Sequence, residues 1–362
     1  MFVGCYCNHS GHSSISFALP SRIGYCIPAS ILFRSFRLFR PHRKWNLYCS
    51  LKRAERYSSS DWSRCLLSLP KSVILSRIQS HLFWTSCVSF IVSLFDHFFK
   101  IPPFSPIPHT LLGSAMGLLL VFRTNSAYDR FWEARKLVGV LAVQSREMTR
   151  CIHSYFDEEK YQVIKNRLIM LLKLFLVGFL QHVQGTTDVA SFRKIIRSNP
   201  EYSESSHTVD IFADEIVHSP NPPLFVLFQL SMQVKAVFKN ADISYCVVQR
   251  AKMEWQLSSL MEVLSGCERI ITTPVPLGYS RHTSRFLSLW CFTFPLLIVS
   301  HLKFLTVPVT AFVCWSLFGI EEIGHVIEDP FLEGVEKLPI KSMISSLLAD
   351  IDYLSHLSVY EK

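Results

Sequence analysis

Between residues 118 and 138 the chain contains neither proline nor glycine, yet its character changes inside that stretch. Apolar residues run up to Phe122, and "RTNSAYDRFWEARK" follows at once, dense in charge and aromatic rings. Nothing at Arg123 stops a helix, so one element passes unbroken from an apolar medium into a charged one. Such a passage suits a helix that leaves a bilayer into a space lined by protein or water.

Four stretches approach the roughly 20 apolar residues that a membrane-spanning helix needs. Residues 73–95 are interrupted by Arg77 and His81 and strongly apolar from Leu82 on. Residues 101–122 contain no Asp, Glu, Lys or Arg, but "IPPFSPIP" at their start is too rich in proline for a helix. The helix is expected to begin at Pro108, a residue suited to a first turn, which places the second span at about residues 107–122. Residues 286–300 and 304–320 are separated only by "HLK", so they form an antiparallel hairpin, with Pro295 expected to kink the first arm. With 49% hydrophobic and 18% charged residues in a chain of 362, and a positive mean hydropathy, composition agrees with a membrane protein.

A fifth apolar run, residues 168–180, is too short to span and carries Lys173 near its centre, so it reads as a buried helix of a water-exposed bundle. After the loop-like "SNPEYSESSHT" and the "SPNPP" break, helical periodicity returns over residues 224–271. The regions outside the spans, 123–285 and 321–362, are therefore expected to be helical and wet. Lys and Arg set the orientation. The connectors 96–106 and 301–303 hold one Lys each, whereas Arg123, Arg130, Arg135, Lys136, Arg281 and Arg285 flank the other side. Both termini and the helical middle are expected on a stromal, matrix or cytosolic face.

The net charge of +9 does not point to nucleic acid. Eight Lys or Arg lie in residues 1–54, which lack Asp and Glu, leaving +1 for the remainder. Basic and rich in Ser, with Glu55 as their one acid, residues 1–60 read as an organelle transit peptide and leader, for a plastid or a mitochondrion. The eleven cysteines form no Cys-x-x-Cys pair, and Cys87, Cys291 and Cys314 sit within apolar runs. Neither a disulfide framework nor a zinc site is expected.

At 100° per residue, Ile107, Leu111, Ala115, Leu118 and Phe122 share a band about 80° wide. Gly113 and Gly117 fall near the opposite side as a Gly-x-x-x-Gly pair that permits close helix packing. Periodicity does not decide whether the apolar band faces lipid, other helices or a pore. Beyond it, the Arg130–Glu133 spacing allows an ion pair worth about 0.2–0.5 kcal/mol.

Enzyme signatures are lacking: there is no phosphate loop, no His-Glu-x-x-His helix and no nucleophile elbow. "FGIEEIGHVIEDPF" gathers Glu321, Glu322, His325, Glu328 and Asp329. Carboxylates without a second histidine make a weak transition-metal site, and a polar junction after a membrane helix fits the position as well. No cofactor, metal or catalytic residue is assigned.

"IPHTLLGSAMGLLLVFRTNSAYDRFWEARKL", "TPVPLGYSRHTSRFLSLWCFTFPLL" and "FGIEEIGHVIEDPF" resemble, in this order, the signature blocks of the bestrophin-like anion channels. The likeness covers about residues 62–362 and is nearest to the bacterial members and the voltage-dependent chloride channels of plant thylakoids. It implies an all-α homopentamer with four transmembrane helices per subunit, a helical stromal or cytosolic region, and passive conduction of chloride or bicarbonate. It also implies a hydrophobic neck at Ile107, Leu111 and Ala115, three members of the band, and a lower constriction at Val247 or Val248. Lipid, the anions and four further copies of the chain are the implied partners, and a thylakoid membrane the implied location.

Two departures qualify the likeness. Animal members place aromatic rings deep in the neck, where this chain has Leu111 and Ala115. They bind calcium through acids after "NPF", where this chain has "DPF" followed by Gly334 and Lys337 among the expected carboxylates, which speaks against direct calcium gating. Arg123 has two readings: a vestibule charge that gathers anions, or a structural partner of Asp129 or another acid. The competing functions are a non-conducting membrane scaffold joined through Gly113 and Gly117, and a membrane enzyme using the acidic cluster.

Overall fold

A computed structural model describes residues 61, 63, 67–156, 159–202, 206–240, 246–334 and 337–357. The leader expected at residues 1–60 lies outside the described residues. From Val73 onward the fold is helical, with no strand among the described residues. In chain order the helices are α1 (Val73–Phe99), α2 (Ile107–Tyr155), α3 (Gln162–Gln184), α4 (Val189–Arg197) and α5 (Ser206–His218). They continue with α6 (Pro222–Asn240), α7 (Cys246–Thr272), α8 (Leu277–Leu302), α9 (Thr306–Glu328) and α10 (Ile340–Leu357).

Local chemistry sets the ends. The Ser72 hydroxyl accepts the Leu75 amide at 3.5 Å and caps α1. That helix closes on Lys100 at φ 49°, the left-handed conformation that returns its amide to the Asp96 carbonyl. Proline at residues 102, 103 and 106 holds the next segment out of a helix until Ile107, where Pro108 sits in the first turn without losing a needed donor. From there α2 runs for 49 residues without a break, a rod of about 73 Å. The α8–α9 hairpin turns through a 3-10 turn, Lys303–Leu305, with Lys303 at φ 50°. Helix α8 thus absorbs two of the three residues expected to form its connector.

Among the described residues three helical stretches can cross a membrane by length and composition: α1, α2 and Leu277–Glu328, the last containing α8 and α9. What these helices bury reinforces that reading. On α1 the covered side chains are Ile78, Thr85, Ser89, Ser93 and Asp96, whereas Phe83, Trp84, Phe90 and Ile91 are more than half exposed. Ser89 donates to the Thr310 hydroxyl of α9 at 3.3 Å, and Ser93 to its own helix at the Ser89 carbonyl. Small hydroxylated residues inside and large apolar ones outside is the arrangement a lipid solvent selects, because lipid offers apolar side chains no reason to hide.

Away from these helices the pattern inverts. Leu168, Leu172, Leu174, Phe175, Leu176 and Phe179 of α3 are fully buried in a core shared with α2, α6, α7 and α10. Each such side chain contributes about 1.5–3 kcal/mol on leaving water. The sequence reading of residues 168–180 as a buried helix is correct. Lys173 reaches the edge of that core and pairs with Asp352 of α10. A second, smaller cluster, Ile78, Met116, Leu120, Leu287, Cys291, Cys314 and Phe318, joins the four apolar helices. Helix α2 belongs to both clusters.

The pore-helix candidate and its surroundings

Helix α2 has two faces along its whole length. Met116, Leu120, Arg123, Ala127, Ala134, Val138, Leu141, Met148 and Ile152 are buried, following the i, i+4, i+7 rule. Opposite them run the expected neck residues Ile107 and Leu111, 66% and 67% exposed, with Ala115, Leu118 and Phe122 also exposed. The same bare stripe continues beyond Arg123 through Asn125, Asp129, Trp132, Lys136, Val140 and Val143. Among the described residues nothing covers this stripe, although much of it is apolar.

The covered face is anchored in steps. At the proline-rich end, His109 Nε2 hydrogen-bonds the Trp290 carbonyl at 3.1 Å, and the Trp290 indole donates to the His109 carbonyl at 3.2 Å. Gly113 lies under the same indole, where a Cβ would stand 3.4 Å from Nε1. A Cβ at Gly117, its partner in the sequence motif, would meet nothing within 4 Å. Farther on, the Tyr279 hydroxyl donates to the Leu119 carbonyl at 3.1 Å.

Where the sequence changes character, Arg123 is buried rather than bare. Its guanidinium donates to Glu321 Oε1 of α9 at 2.6 Å, and the Ser284 hydroxyl of α8 donates to that same carboxylate. Of the two sequence readings, pairing is the one the subunit displays, with Glu321 rather than Asp129 as partner. Arg130 also departs from expectation. It does not pair with Glu133 but caps two helix ends, donating to the Ile270 and Thr273 carbonyls at 2.6 Å and to the Glu328 carbonyl at 3.3 Å. Glu133 instead pairs with Arg269 of α7. Carbonyls at helix C-termini carry partial negative charge, so an arginine suits them as well as a carboxylate would. No spacing rule within one helix reveals these partners, which lie 140 or more residues away.

The acidic cluster is likewise engaged. Glu322 accepts from Arg77 of α1 at 2.9 Å, Glu328 accepts the Val275 amide at 3.2 Å, and Asp329 accepts the Phe331 amide at 3.3 Å. Among the described residues no group of three or more His, Cys, Asp or Glu is arranged to hold a metal ion.

Helix α7 packs antiparallel to α2. Lys252 lies 3.6 Å from Glu147, Gln256 Nε2 lies 3.6 Å from Cys151 Sγ, and Gly266 admits Leu137 against its backbone. This register carries the first turn of α7 to the end of α2 remote from Ile107. There Val247 and Val248 stand 81% and 74% exposed, the two valines expected at a lower constriction. Nearby, His153 of α2 has both ring nitrogens buried and unpaired among the described residues. Burial and the neighbouring Lys165 charge hold its pKa down at about 4.

Comparison with known proteins agrees with this architecture. The family model described as bacterial/fungal bestrophin protein matches residues 54–352. A voltage-dependent anion channel-forming protein from Nostoc sp. is 34% identical over 263 residues, 72% of this chain and 81% of that protein. Voltage-dependent chloride channel 1, chloroplastic, from Arabidopsis thaliana is 32% identical over 300 residues, 80% of this chain and 69% of that protein. The crystal structure of a bacterial bestrophin homologue from Klebsiella pneumoniae superposes with a TM-score of 0.68 at 24% identity, covering 77% of this chain and 99% of that one. On the family match, the relatives and the shared helical fold, the chain belongs to the bestrophin family.

Proposed function

We propose that this chain forms a passive anion channel for chloride or bicarbonate, with four membrane-spanning helices per subunit, α1, the first part of α2, α8 and α9, and five subunits around one axis. The observation that carries the reading is the bare stripe of α2, apolar at Ile107, Leu111 and Ala115 and carrying Asn125, Asp129 and Lys136 below Phe122. Five copies facing an axis turn that stripe into a hydrophobic neck opening into a wet vestibule. A hydrophobic constriction of this kind gates by dewetting. Names of relatives support the choice of ion, since they describe anion and chloride channels.

No coupled energy source is needed, because a monovalent anion crossing the full potential exchanges about 2.3 kcal/mol per 100 mV. With Arg123 engaged by Glu321, the exposed cation best placed in the vestibule is Lys136, on the same stripe as the neck. Val247 and Val248 form the lower constriction, at the far end of α2. Residues 1–60 deliver the chain to a plastid, a reading the chloroplastic relatives support, and within it the chain occupies a thylakoid membrane. Purified protein in a planar bilayer is expected to pass anion current, with reversal potentials in chloride against bicarbonate ranking the ions. Absence of anion current at every voltage and pH tried overturns the reading.

A further inference from the structure

Beside the first turns of α8 lies a cavity of about 840 Å³, with walls from α1, α2, the end of α7, α8 and α9, and with Lys337 at its edge. Its acids are already engaged: Glu321 by Arg123, Glu322 by Arg77, Glu328 and Asp329 by backbone amides. Arg281 and Arg285, one turn apart on α8, line the same cavity and are exposed. Neither has a carboxylate partner among the described residues. With Arg77, Arg123, Arg130 and Lys337 the cavity holds six cations against four carboxylates, an excess of two positive charges, and Arg281 and Arg285 are the two of its guanidinium groups that carry no ion pair or carbonyl contact among the described residues.

Their depth matters as much as their charge. Arg285 directly precedes the apolar run that opens at Phe286, and Arg77 stands five residues before Leu82, where α1 becomes strongly apolar. Ile78, Leu277 and Phe318 supply an apolar part of the wall. Cations at the edge of a span, beside an apolar wall of which Leu277 is exposed, fit an amphiphile with an anionic head. Guanidinium pairs favour phosphate-like oxyanions through charge-assisted hydrogen bonds.

We propose that this cavity holds the headgroup of an anionic lipid from the leaflet facing the soluble helices, with its phosphate or sulfonate between Arg281 and Arg285 and Arg77 at the rim. The proposal rests on the membrane-spanning reading of α1, α8 and α9. It differs from diffuse attraction of a basic surface to an anionic membrane in requiring a saturable site with defined residues.

The test uses the purified full-length channel in neutral detergent, with thermal unfolding followed as short-chain phosphatidylglycerol, short-chain phosphatidylcholine or inorganic phosphate is added. Preferential binding to the folded state raises the unfolding midpoint with ligand concentration. The expected result is a saturable rise with phosphatidylglycerol alone. It weakens about tenfold or more in apparent affinity in Arg281→Gln/Arg285→Gln and is retained in Arg281→Lys/Arg285→Lys. An equal rise with phosphatidylcholine, or with inorganic phosphate, overturns the lipid assignment, as does an undiminished rise in the glutamine variant. If the glutamine variant fails to fold, the three ligands on the native and lysine-substituted proteins still decide. Anion currents in bilayers of neutral lipid separate this outcome from the channel reading: current without any lipid-specific rise sinks only the headgroup site.

Discussion

Arg123 Nη1 and Glu321 Oε1 meet at 2.6 Å with side chains only 7% and 12% exposed, joining α2 to α9 where the pore-helix candidate leaves its apolar half. Removing one partner leaves the other charged and dry, a far larger penalty than the pair itself is worth. Arg123→Gln is expected to destabilise the protein by about 3–5 kcal/mol, and Arg123→Met/Glu321→Leu to recover much of that loss. Arg123 Nε is buried without a partner among the described residues, a further reason to expect recovery when the whole group is replaced. Chemical unfolding of Arg123→Met, Glu321→Leu and the double variant decides it: a double variant as unstable as the sum of the singles contradicts the pairing.

The continuation of α2 into the soluble core depends on how closely α7 approaches it. A Cβ on Gly266 would stand 2.9 Å from Leu137 Cδ1 and 3.1 Å from Cδ2. Leu137 is partly buried, and its methyl groups can swing aside for one added carbon. The gain in helix propensity of up to about 1 kcal/mol then offsets the displacement, so Gly266→Ala is expected to be near neutral. Gly266→Val demands more room and is expected to cost about 1–3 kcal/mol. Equal unfolding midpoints for the native protein and the valine variant would show that α7 yields easily.

The sequence exposed the fold more readily than the contacts at the candidate site. Apolar run length and proline placement locate α1, α2, α8 and α9, because bilayer thickness and the missing proline amide act locally. The 100° periodicity identifies the band through Leu111 for the same reason. Arg123 and Arg130 were legible only as charges. Their partners, Glu321 and the carbonyls of Ile270 and Thr273, come from helices brought alongside by the tertiary fold. The packing face of α1 was also hidden, since hydropathy scores Phe83, Phe90 and Ile91 above Ser89 and Ser93, whereas the residues that touch α9 are the hydroxylated ones.

His153 gives stability a pH dependence of determined sign. Its folded pKa, held at about 4 by burial and Lys165, lies below the ordinary 6.5. Above about pH 6.5 the ring is neutral whether the chain is folded or not, and its contribution is fully present. As pH falls through that value the unfolded chain binds the proton first, so stability declines until about pH 4, where the folded state also protonates. Allowing for partial exposure, the loss between pH 6.5 and about pH 5 is expected to be about 1–2 kcal/mol, and it disappears in His153→Leu. Unfolding of native and variant protein at both pH values tests this: an equal pH slope in the two excludes His153 as its source.

Leu111 separates conduction from folding most cleanly. It is 67% exposed within a subunit, so truncation is expected to change subunit stability by no more than about 0.5 kcal/mol. If five copies of Leu111 form the narrow apolar ring, Leu111→Ser wets it and raises single-channel conductance or open probability, while Ala115→Leu lowers both. Leu112, 49% exposed but about 100° around the helix from Leu111, is the control: Leu112→Ala is expected to leave both quantities unchanged. Single-channel recording of the three variants at matched protein density gives the answer. Conductance and open probability that ignore Leu111 and Ala115 but respond to Leu112 would turn α2 by a quarter and move the ion path to another face.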